Sequence, residues 1–539
     1  MSETTKALNK CKRVAAVLIA GMLLVSLLAG CGSQSGQTPA TEKVLNFSWA
    51  KDIGSLNPHM YNPNQMFAQA LVYESLVQYS DAGKIVPWLA ESWTISPDGK
   101  EYIFKLRQDV KFSDGSAFNA AAVKKNFDAV LANGKRHDWL AFIRQIQETQ
   151  VIDDHTFKLV LKDAYYPVLQ ELALIRPLRF LAPAAFPDNG NTGKGIKQPV
   201  GTGPWVLSEY KQGEVAVFVR NEHYWGPKPK VDKLVIKIIP DSESRVVAFE
   251  KQELNLLYGN GSISLDAFKQ LQAAGQYETK LSEPLATRVL AINSNKGATK
   301  ELKVRQALQH AVNKDAFVKG VLFGTEHKAD TLLATNFPYC NLGLTPYEYS
   351  EDKARALLDE AGWKVVPGRD FREKDGQTLE LEFCYESTNA IQKSVGEVLQ
   401  GDLKKVGIKV KLTGEEQGSI DQRQKDGNFN IIYGDTWGAP YDPHSLVGSM
   451  REPAHADYQA QLGLPMKAEL DKLASAVLVS TDETKRQELY RQIFTTLHEQ
   501  AVYLPLSYLA NLAVYPKNLS GVAFMGSQYE IPFGTIDIQ

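Results

Sequence analysis

Cysteine and methionine are scarce in this 539-residue sequence, with four and seven residues, and neither sign of charge prevails. The 60 Lys and Arg residues are balanced by 62 Asp and Glu, and no cluster of basic side chains marks a nucleic-acid surface. Four cysteines are too few for a scaffold held together by disulfides. The apolar share of 44% and the charged share of 23% are instead ordinary for a globular chain with its own hydrophobic core.

The motifs of several enzyme classes are also missing. The sequence has no Gly-x-Ser-x-Gly elbow, no Walker phosphate loop and no Gly-x-Gly-x-x-Gly after a strand. The pair His498-Glu499 lacks the second histidine that a zinc-protease motif needs. Since nothing specific indicates a catalytic centre, we predict a binding protein with no catalytic cofactor, and not an enzyme.

Long apolar runs are absent apart from residues 14–28, which follow a basic leader and are short for a membrane span. The stretch ends in Leu28-Ala29-Gly30-Cys31, which resembles a bacterial lipobox. We therefore predict a secretory signal over residues 1–30 and a lipid on Cys31. An uncleaved signal anchor is the alternative. Residues 31–43, rich in Ser, Gly, Gln and Thr, are predicted to form a flexible tether.

Two cysteines remain beyond the leader, Cys340 and Cys384, with 43 residues between them. An exported compartment permits a disulfide, but two separate thiols are at least as good an interpretation, because sequence does not show proximity. Neither cysteine has a metal-binding spacing.

The length beyond residue 30 exceeds the roughly 250–300 residues that one core fills, so we expect two lobes. In the first half, alternation at Tyr102, Phe104 and Leu106 after the turn at 96–100 predicts strands and hairpins. Helical spacing predicts a helix over 120–131. In the second half, helices and strands alternate. The predicted helices are 304–321, 351–361 and 390–406, and the predicted strands are 379–383 and 408–412. These patterns favour an α/β fold.

Several segments together resemble the extracytoplasmic solute-binding proteins of ABC importers for oligopeptides, dipeptides and nickel. They are PWLAESW at 87–93, VKFSDG at 110–115, GTGPW at 201–205, RNEHYWG at 220–226, VRQAL at 304–308 and AVNK at 311–314. The resemblance implies a two-lobed periplasmic-binding-protein-like flytrap with mixed sheets and an extended first lobe. The first lobe would take residues 44–285 and 510–539, and the second residues 286–509.

Further segments are similar to the nickel binders of that family. They are YNPNQMFAQ at 61–69, AYYP at 164–167, RPLRF at 176–180, TWGAPYDPH at 436–444 and MREPAHAD at 450–457. Dipeptide and oligopeptide relatives usually place an aspartate where this sequence has Ala439, to pair with the peptide's amino group. A buried ammonium without a partner is costly, which weighs against a peptide ligand.

The resemblance implies that nickel arrives as a chelate, with free histidine the expected chelator, and that the chain delivers it to an ABC permease. Carried over by position, Arg176 and the nearby Arg136 match the arginines that bind carboxylates, since a guanidinium binds them bidentately. His455 matches a histidine that completes the metal's coordination. The apolar wall is matched by Met66, Trp139, Trp437 and Tyr441.

Without the resemblance, each of these residues has an ordinary structural interpretation, such as a surface ion pair for Arg176 or a solvated loop for His455. His59 and His444 lie beside prolines, and we interpret both as turn residues. Asp421 and Tyr529 depart from the nickel binders' pattern, which has a tyrosine and a small threonine there. Both departures bear on the identity of the chelator.

The resemblance also implies a partner and a location. We expect a monomer on the outer face of the cell membrane, held by the lipid on Cys31, with no nucleic-acid partner. A peptide or an opine-type metallophore is the alternative ligand. A hydrolase acting on cell-wall peptides is the alternative from another functional class.

Overall fold

The computed structural model describes residues 42–60, 65–80, 83–137, 140–436, 442–527 and 529–539. Residues Val44–Gln539 form one compact unit. Within the described ranges, no helix has both the length and the apolar character that a membrane crossing requires. Cys31, Trp139, Trp437, Ala439 and Tyr441 lie outside the described residues.

The first part of the chain, up to residue 285, is rich in strands. They are β1 (Val44–Trp49), β2 (Val77–Tyr79), β3 (Ile85–Pro87), β4 (Ala90–Ile95), β5 (Glu101–Leu106), β6 (Ile146–Asp153), β7 (Thr156–Leu161), β8 (Trp205–Lys211), β9 (Val215–Arg220), β10 (Lys233–Ile238), β11 (Leu257–Tyr258) and β12 (Tyr277–Leu281). The helices are α1 (Met66–Val72), α2 (Ala120–Ala132), α3 (Ala141–Gln145), α4 (Val168–Leu172), α5 (Ser242–Glu250) and α6 (Leu265–Ala274). Short 3-10 turns include Gly134–His137.

The second part alternates helices and strands. Its helices are α7 (Leu302–Ala311), α8 (Lys314–Gly320), α9 (Glu351–Glu360), α10 (Ala390–Lys405), α11 (Gln417–Asp426), α12 (His444–Ser449), α13 (Ala456–Gln461), α14 (Lys467–Val479) and α15 (Glu483–Glu499). Its strands are β13 (Ala286–Ile292), β14 (His327–Lys328), β15 (Glu373–Lys374), β16 (Gln377–Thr378), β17 (Glu380–Glu386), β18 (Lys409–Glu415), β19 (Ile431–Asp435), β20 (Tyr503–Leu509), β21 (Leu512–Pro516), β22 (Leu519–Ser520) and β23 (Asp537–Ile538).

Two four-stranded sheets organise the first part, in the orders β1-β10-β9-β8 and β4-β5-β7-β6. The second of these is antiparallel throughout, and β5 shows why it forms. Tyr102, Phe104 and Leu106 are buried on one face, while Lys105 between them is exposed. That alternation is what a strand with one buried face requires. The mixed sheet joins β1 to β10 in parallel and the other pairs in antiparallel.

The second part is built on a six-stranded mixed sheet with the order β14-β20-β13-β19-β17-β18. All seven residues of the inner strand β13 are buried, as expected for a strand covered on both faces. Residues of α7, α9 and α10 share one apolar cluster with this sheet. The alternation of helices and strands therefore produces the predicted α/β arrangement.

The chain crosses twice between the six-stranded sheet and a three-stranded sheet with the order β11-β21-β12, and the two crossings lie side by side. The first passage runs from β12 to β13, and the second from β20 to β21. Strand β21 pairs with both β11 and β12, so the C-terminal segment returns to the first part of the chain. At the passages, the backbone N–H of Ser282 donates to the carbonyl of Asn511, and the N–H of Asn511 donates to the Ser282 hydroxyl, both at 2.9 Å.

One predicted helix is wrong in its extent. Residues 304–321 form two helices, because Val312 has an extended backbone and Asn313 caps α8. The Asn313 side chain accepts a 2.9 Å hydrogen bond from the N–H of Ala316, a cap that competes with continued helix. Cys340 and Cys384 are both free and buried, so no disulfide joins them.

Two glycines of the GTGPW segment let the chain pass closely against the end of α1. The N–H of Gly203 donates to the carbonyl of Val72 at 2.9 Å. A Cβ at Gly201 would lie 2.0 Å from that carbonyl oxygen, and one at Gly203 would lie 2.6 Å from the carbonyl oxygen of Leu71. Because glycine has no Cβ, the GTGPW segment can approach the end of α1, the helix that begins at Met66, this closely.

We predict that Gly201→Ala lowers the free energy of unfolding by about 2–3 kcal/mol, because backbone on both sides must shift. The control is Gly401→Ala, at an exposed position in α10 with no atom within 4 Å of the new Cβ. Alanine there should raise the free energy by about 0.5–1 kcal/mol through helix propensity. Urea unfolding measures both. Equal effects of the two variants would contradict this account of Gly201.

Candidate functional site

Arg176 lies in the turn that follows α4, at a cis peptide bond with Pro177. Its side chain is half-buried, while its neighbours Ile175 and Leu178 are buried in the core. The turn is thus anchored on both sides, and one polar side chain is left near the surface. An arginine held this way can present its guanidinium fork with little loss of side-chain entropy.

The turn is held by a second arginine, Arg179, which is buried. Its guanidinium donates to the carbonyl of Tyr73 at 2.9 Å and to the carbonyl of Leu174 at 3.1 Å. It also lies 3.4 Å from the carboxylate of Glu530. Burial lowers the pKa of Arg179, and the nearby carboxylates of Glu530 and Glu74 oppose that shift. One side chain therefore ties together the end of α1, the Arg176 turn and the C-terminal segment.

Behind this turn lies a cavity of about 340 Å³, lined by the first part of the chain and by C-terminal residues 525–527 and 530–535. Glu74 lies at its wall and accepts hydrogen bonds from Trp88 Nε1 at 2.9 Å and Trp225 Nε1 at 3.0 Å, with the Tyr224 hydroxyl at 3.3 Å. Burial raises the pKa of Glu74. The aromatic residues of the PWLAESW and RNEHYWG segments thus converge on one carboxylate, so both segments have a structural role in the first part of the chain.

Met66 is the first residue of α1 and is 2% exposed. Arg136 lies on the 3-10 turn Gly134–His137 and is exposed. The described lining of the 340 Å³ cavity includes none of Met66, Arg136, Arg176 and His455. These four site residues are therefore set apart from that cavity.

His455 stands at the start of α13, half-buried, and its N–H donates to the carbonyl of Glu452 at 2.9 Å. Next to it, the Asp457 carboxylate accepts from the Ser449 hydroxyl at 2.7 Å and from the Tyr503 hydroxyl at 2.9 Å. Burial raises the pKa of Asp457, and the hydrogen bonds from Ser449 and Tyr503 oppose that shift. The backbone of His455 is thus held at a helix start, two residues before a buried acid.

A bridge joins the His455 turn to the first part of the chain. Arg144, on α3, lies 3.1 Å from the carboxylate of Glu452. The pair therefore joins α3, which follows the turn that carries Arg136, to the turn that precedes His455.

The two histidines interpreted as turn residues are both buried. His59 does lie in a turn, but its ring nitrogens face Thr192 and Asn126 at 3.0 and 2.9 Å, and burial lowers its pKa to about 4. The prediction that His444 is a turn residue is wrong, because His444 is the first residue of α12 and lies between two carboxylates. A proline neighbour predicts the backbone bend but says nothing about burial.

The two departures from the nickel binders' pattern lie at the surface. Asp421 is exposed on α11 and accepts a 2.7 Å hydrogen bond from Gln417. Tyr529 is 37% exposed, beside the half-buried Glu530. Neither side chain is taken up by the core.

Sequence reasoning missed Arg179 and Glu530 as residues that hold the Arg176 turn in place. They lie in the RPLRF segment and in the EIP segment at 530–532, but a charged residue in a sequence gives no sign of whether it is buried, as Arg179 is, or half-buried, as Glu530 is. Within the described ranges, no group of three or more His, Cys, Asp or Glu side chains is arranged to hold a metal ion.

Known proteins match the chain over nearly its whole length. Residues 84–458 match the model of the bacterial extracellular solute-binding proteins, family 5. The nickel-binding periplasmic protein of Escherichia coli (strain K12) is 49% identical over 514 residues, which cover 95% of this chain and 98% of that protein.

Two solved structures are also similar. The structure of NikA from Brucella suis in complex with Fe(III)-EDTA has a TM-score of 0.90 and 55% identity, covering 92% of this chain and 100% of that one. The structure of NikZ from Campylobacter jejuni in complex with Ni(L-His) has a TM-score of 0.75 and 25% identity, covering 92% of this chain and 99% of that one. These folds have two lobes, as expected for this chain.

We predict that Arg179→Met lowers the free energy of unfolding by about 2–3 kcal/mol, because the half-buried Glu530 carboxylate and the carbonyls of Tyr73 and Leu174 lose a charged partner. The control is Arg491→Met, which removes an exposed pair with Glu488 on α15 and should leave the unfolding midpoint unchanged. Chemical unfolding followed by circular dichroism compares them. A midpoint of Arg179→Met equal to that of the wild type would show that this residue does not hold the site.

Proposed function

The chain belongs to the bacterial extracellular solute-binding proteins of family 5, and we propose that it captures a nickel chelate between two lobes and delivers it to an ABC permease. The observation that carries this proposal is the 49% identity with a nickel-binding protein over 95% of the chain. The family consists of binding proteins for transport, so the chain acts by binding and not by catalysis.

A chelate fits the described residues better than bare nickel. Ni²⁺ needs several nitrogen, sulfur or oxygen ligands, and the described part of the chain offers no cluster of such side chains. A small chelator supplies most of those ligands itself and adds carboxylates that an arginine can bind. The ligands Fe(III)-EDTA and Ni(L-His) of the two similar structures are both of this kind.

We assign Arg176 to the chelator's carboxylates, with Arg136 beside it, and His455 to the open coordination position of the metal. An arginine stays charged throughout the physiological range, and imidazole is a good nickel ligand when neutral. The half-buried positions of Arg176 and His455 support these roles, because a side chain must reach the ligand and still be held by the protein. The apolar wall is assigned to Met66, Trp139, Trp437 and Tyr441.

Lobe closure would use the two neighbouring chain passages as a hinge. We propose lobe I as residues 44–285 with 510–539, and lobe II as residues 286–509. The hydrogen bonds between Ser282 and Asn511 support this division, because they tie the passages into one two-stranded connection. A short hinge of this kind lets two rigid lobes close on a ligand.

We further propose that the mature protein begins at Cys31 and works as a monomer on the outer face of the cell membrane, held there by a lipid. The acyl chains of a lipid on Cys31 would bind the membrane with an affinity that grows with each methylene they bury. The tether 31–43 would leave the lobes free to move. Anchoring raises the effective concentration of the receptor near its permease without any added contact.

The ligand proposal predicts the outcome of calorimetry with four ligands: NiCl₂ alone, NiCl₂ with excess L-histidine, a nickel complex of an opine-type chelator, and a dipeptide mixture. Chelated nickel should bind, and bare nickel and dipeptides should bind at least tenfold more weakly. Arg176→Ala should weaken chelate binding by about 30-fold or more, equivalent to about 2 kcal/mol for a lost charged partner.

Two further variants complete this experiment. His455→Ala should weaken binding less than Arg176→Ala, because the chelator keeps its own ligands on the metal. Arg491→Ala, on the exposed face of α15, should bind as the wild type does. Metal-free dipeptides binding as tightly as chelated nickel would overturn the nickel proposal. Unchanged affinity of Arg176→Ala would overturn the assignment of that residue alone.

The anchor proposal predicts that the wild-type chain made in bacteria incorporates radiolabelled palmitate and sediments with membranes. Cys31→Ser should lose the label and keep its ligand affinity, because residue 31 lies in the tether 31–43, outside both proposed lobes. Intact mass spectrometry gives the first mature residue. A wild-type chain that starts at residue 1 and carries no lipid would contradict this proposal.

A further inference from the structure

A second connection between the two proposed lobes lies apart from the hinge. It joins the segment before α4 to α14 and α15. The N–H of Tyr166 donates to the carbonyl of Leu478 at 2.9 Å, and the Tyr166 hydroxyl donates to Glu483 at 2.8 Å. The guanidinium of Arg486 lies over the Tyr166 ring, 3.5 Å from its centre. The contact is therefore made by backbone, hydroxyl and cation together.

At the centre of this contact lies a row of buried charges, which we call the clasp: Glu171, His444, Asp442 and Arg486. Nε2 of His444 lies 3.4 Å from the Glu171 carboxylate, and Nδ1 lies 3.3 Å from the Asp442 carboxylate. Arg486 lies 2.9 Å from the other oxygen of Asp442. All four side chains are less than 5% exposed. Glu171 belongs to the proposed lobe I, and the other three belong to lobe II.

The charges of the clasp balance only when the imidazole is protonated. Two carboxylates and one guanidinium leave one negative charge in the interior, and an imidazolium cancels it. The other described groups that hydrogen-bond to the two carboxylates or to the ring are neutral, and they include the Ser445 hydroxyl, 3.2 Å from Nε2 of His444. Glu483 is the charged group beside Arg486, at the hydroxyl end of the Tyr166 ring. Tyr165 donates to Glu171, Tyr490 donates to Asp442 at 2.8 Å, and the N–H of Phe142 donates to Glu171 at 3.1 Å. An uncompensated buried charge is costly, so the contact favours the protonated ring.

The clasp residues adjoin, in sequence, the segments assigned to the ligand. Glu171 is on α4, just before the Arg176 turn, and Asp442 and His444 directly follow residues 437–441 in the chain. Separating the proposed lobes would pull Glu171 away from His444 and expose both. The contact therefore joins α4 and the start of α12, each of which is continuous in the chain with a segment assigned to the ligand.

We propose that Glu171 and His444 are positioning residues that hold the two lobes closed over the ligand, and that loss of the proton on His444 releases them. The proposal rests on the lobe movement of the proposed function and adds its regulation by pH. It assigns no contact between these two side chains and the ligand itself.

The direction of the pH effect follows from the two states of the ring. In the contact, the carboxylates of Asp442 and Glu171 outweigh burial and raise the pKa of His444 to about 9. In the separated lobes the ring loses Glu171 but keeps Asp442, so its pKa should lie below the value of about 9 that it has in the contact. The stabilisation is therefore complete below the pKa of the separated state, declines above it, and is lost once the pH passes about 9. The ratio of closed to open protein should therefore fall as the pH rises toward that value.

Small-angle X-ray scattering of the ligand-free protein between pH 6 and 9.5 tests the clasp without a ligand. The wild type should expand as the pH rises. His444→Gln should show the expanded radius of gyration at every pH, and Glu171→Gln should move in the same direction. His498→Gln is the matched control, because His498 is half-buried on α15 and bonds only within the second part of the chain, to the carbonyl of Thr345. Circular dichroism at each pH reports whether the variants are folded.

The second measurement is calorimetry with NiCl₂ and excess L-histidine at pH 7.5, where His444→Gln should bind about tenfold more weakly and His498→Gln should match the wild type. A wild-type radius that is constant with pH and equal to that of folded His444→Gln would overturn the clasp. Scattering as predicted, with no binding of chelated nickel by any variant, would leave the clasp standing and contradict the proposed function instead.

Discussion

One buried guanidinium, that of Arg179, supports the first-lobe face of the proposed site. It binds the end of α1, the turn of Arg176 and the C-terminal segment at Glu530 at the same time. Because a buried charge must keep its partners, none of these segments can move without breaking the others' contacts. The segments that carry Met66, Arg176 and Tyr529 are therefore held together without a ligand, which would lower the entropic cost of binding at the proposed site.

The two lobes are joined by connections of different character. The hinge at Ser282 and Asn511 is a pair of neutral hydrogen bonds in the backbone passages, and it changes little with solvent conditions. The clasp is a row of charges whose balance depends on one proton. In the proposed mechanism the hinge is therefore insensitive to pH, while the contact that holds the lobes closed depends on it. Ligand binding would then add to the stability of a closed state whose contacts already exist.

Local patterns were enough to predict much of the fold. Alternation at Tyr102, Phe104 and Leu106 predicted β5, and helical spacing at Val123, Phe127 and Val130 predicted most of α2. The break between α7 and α8 was missed, since a single Asn313 cap outweighed a continuous apolar stripe. The buried state of Arg179 and His444 was also missed, because burial depends on segments far apart in sequence.

The site residues were predicted from the family resemblance and not from any local pattern. The comparisons support the family. The roles of Arg176 and His455 stay predictions. Physical reasoning on one sequence does not distinguish an arginine that binds a carboxylate ligand from one in a surface pair. What the structure adds is the surroundings of these two residues. Both residues are half-buried at turns that other ion pairs hold in position.

The most direct test of the account is a crystal grown with NiCl₂ and excess L-histidine, with anomalous scattering recorded at the nickel absorption edge. The account predicts one strong nickel peak between the lobes, with an imidazole nitrogen of His455 on the metal and a chelator carboxylate against the guanidinium of Arg176. Nickel found only on surface histidines, or a metal-free peptide in the space between the lobes, would contradict it.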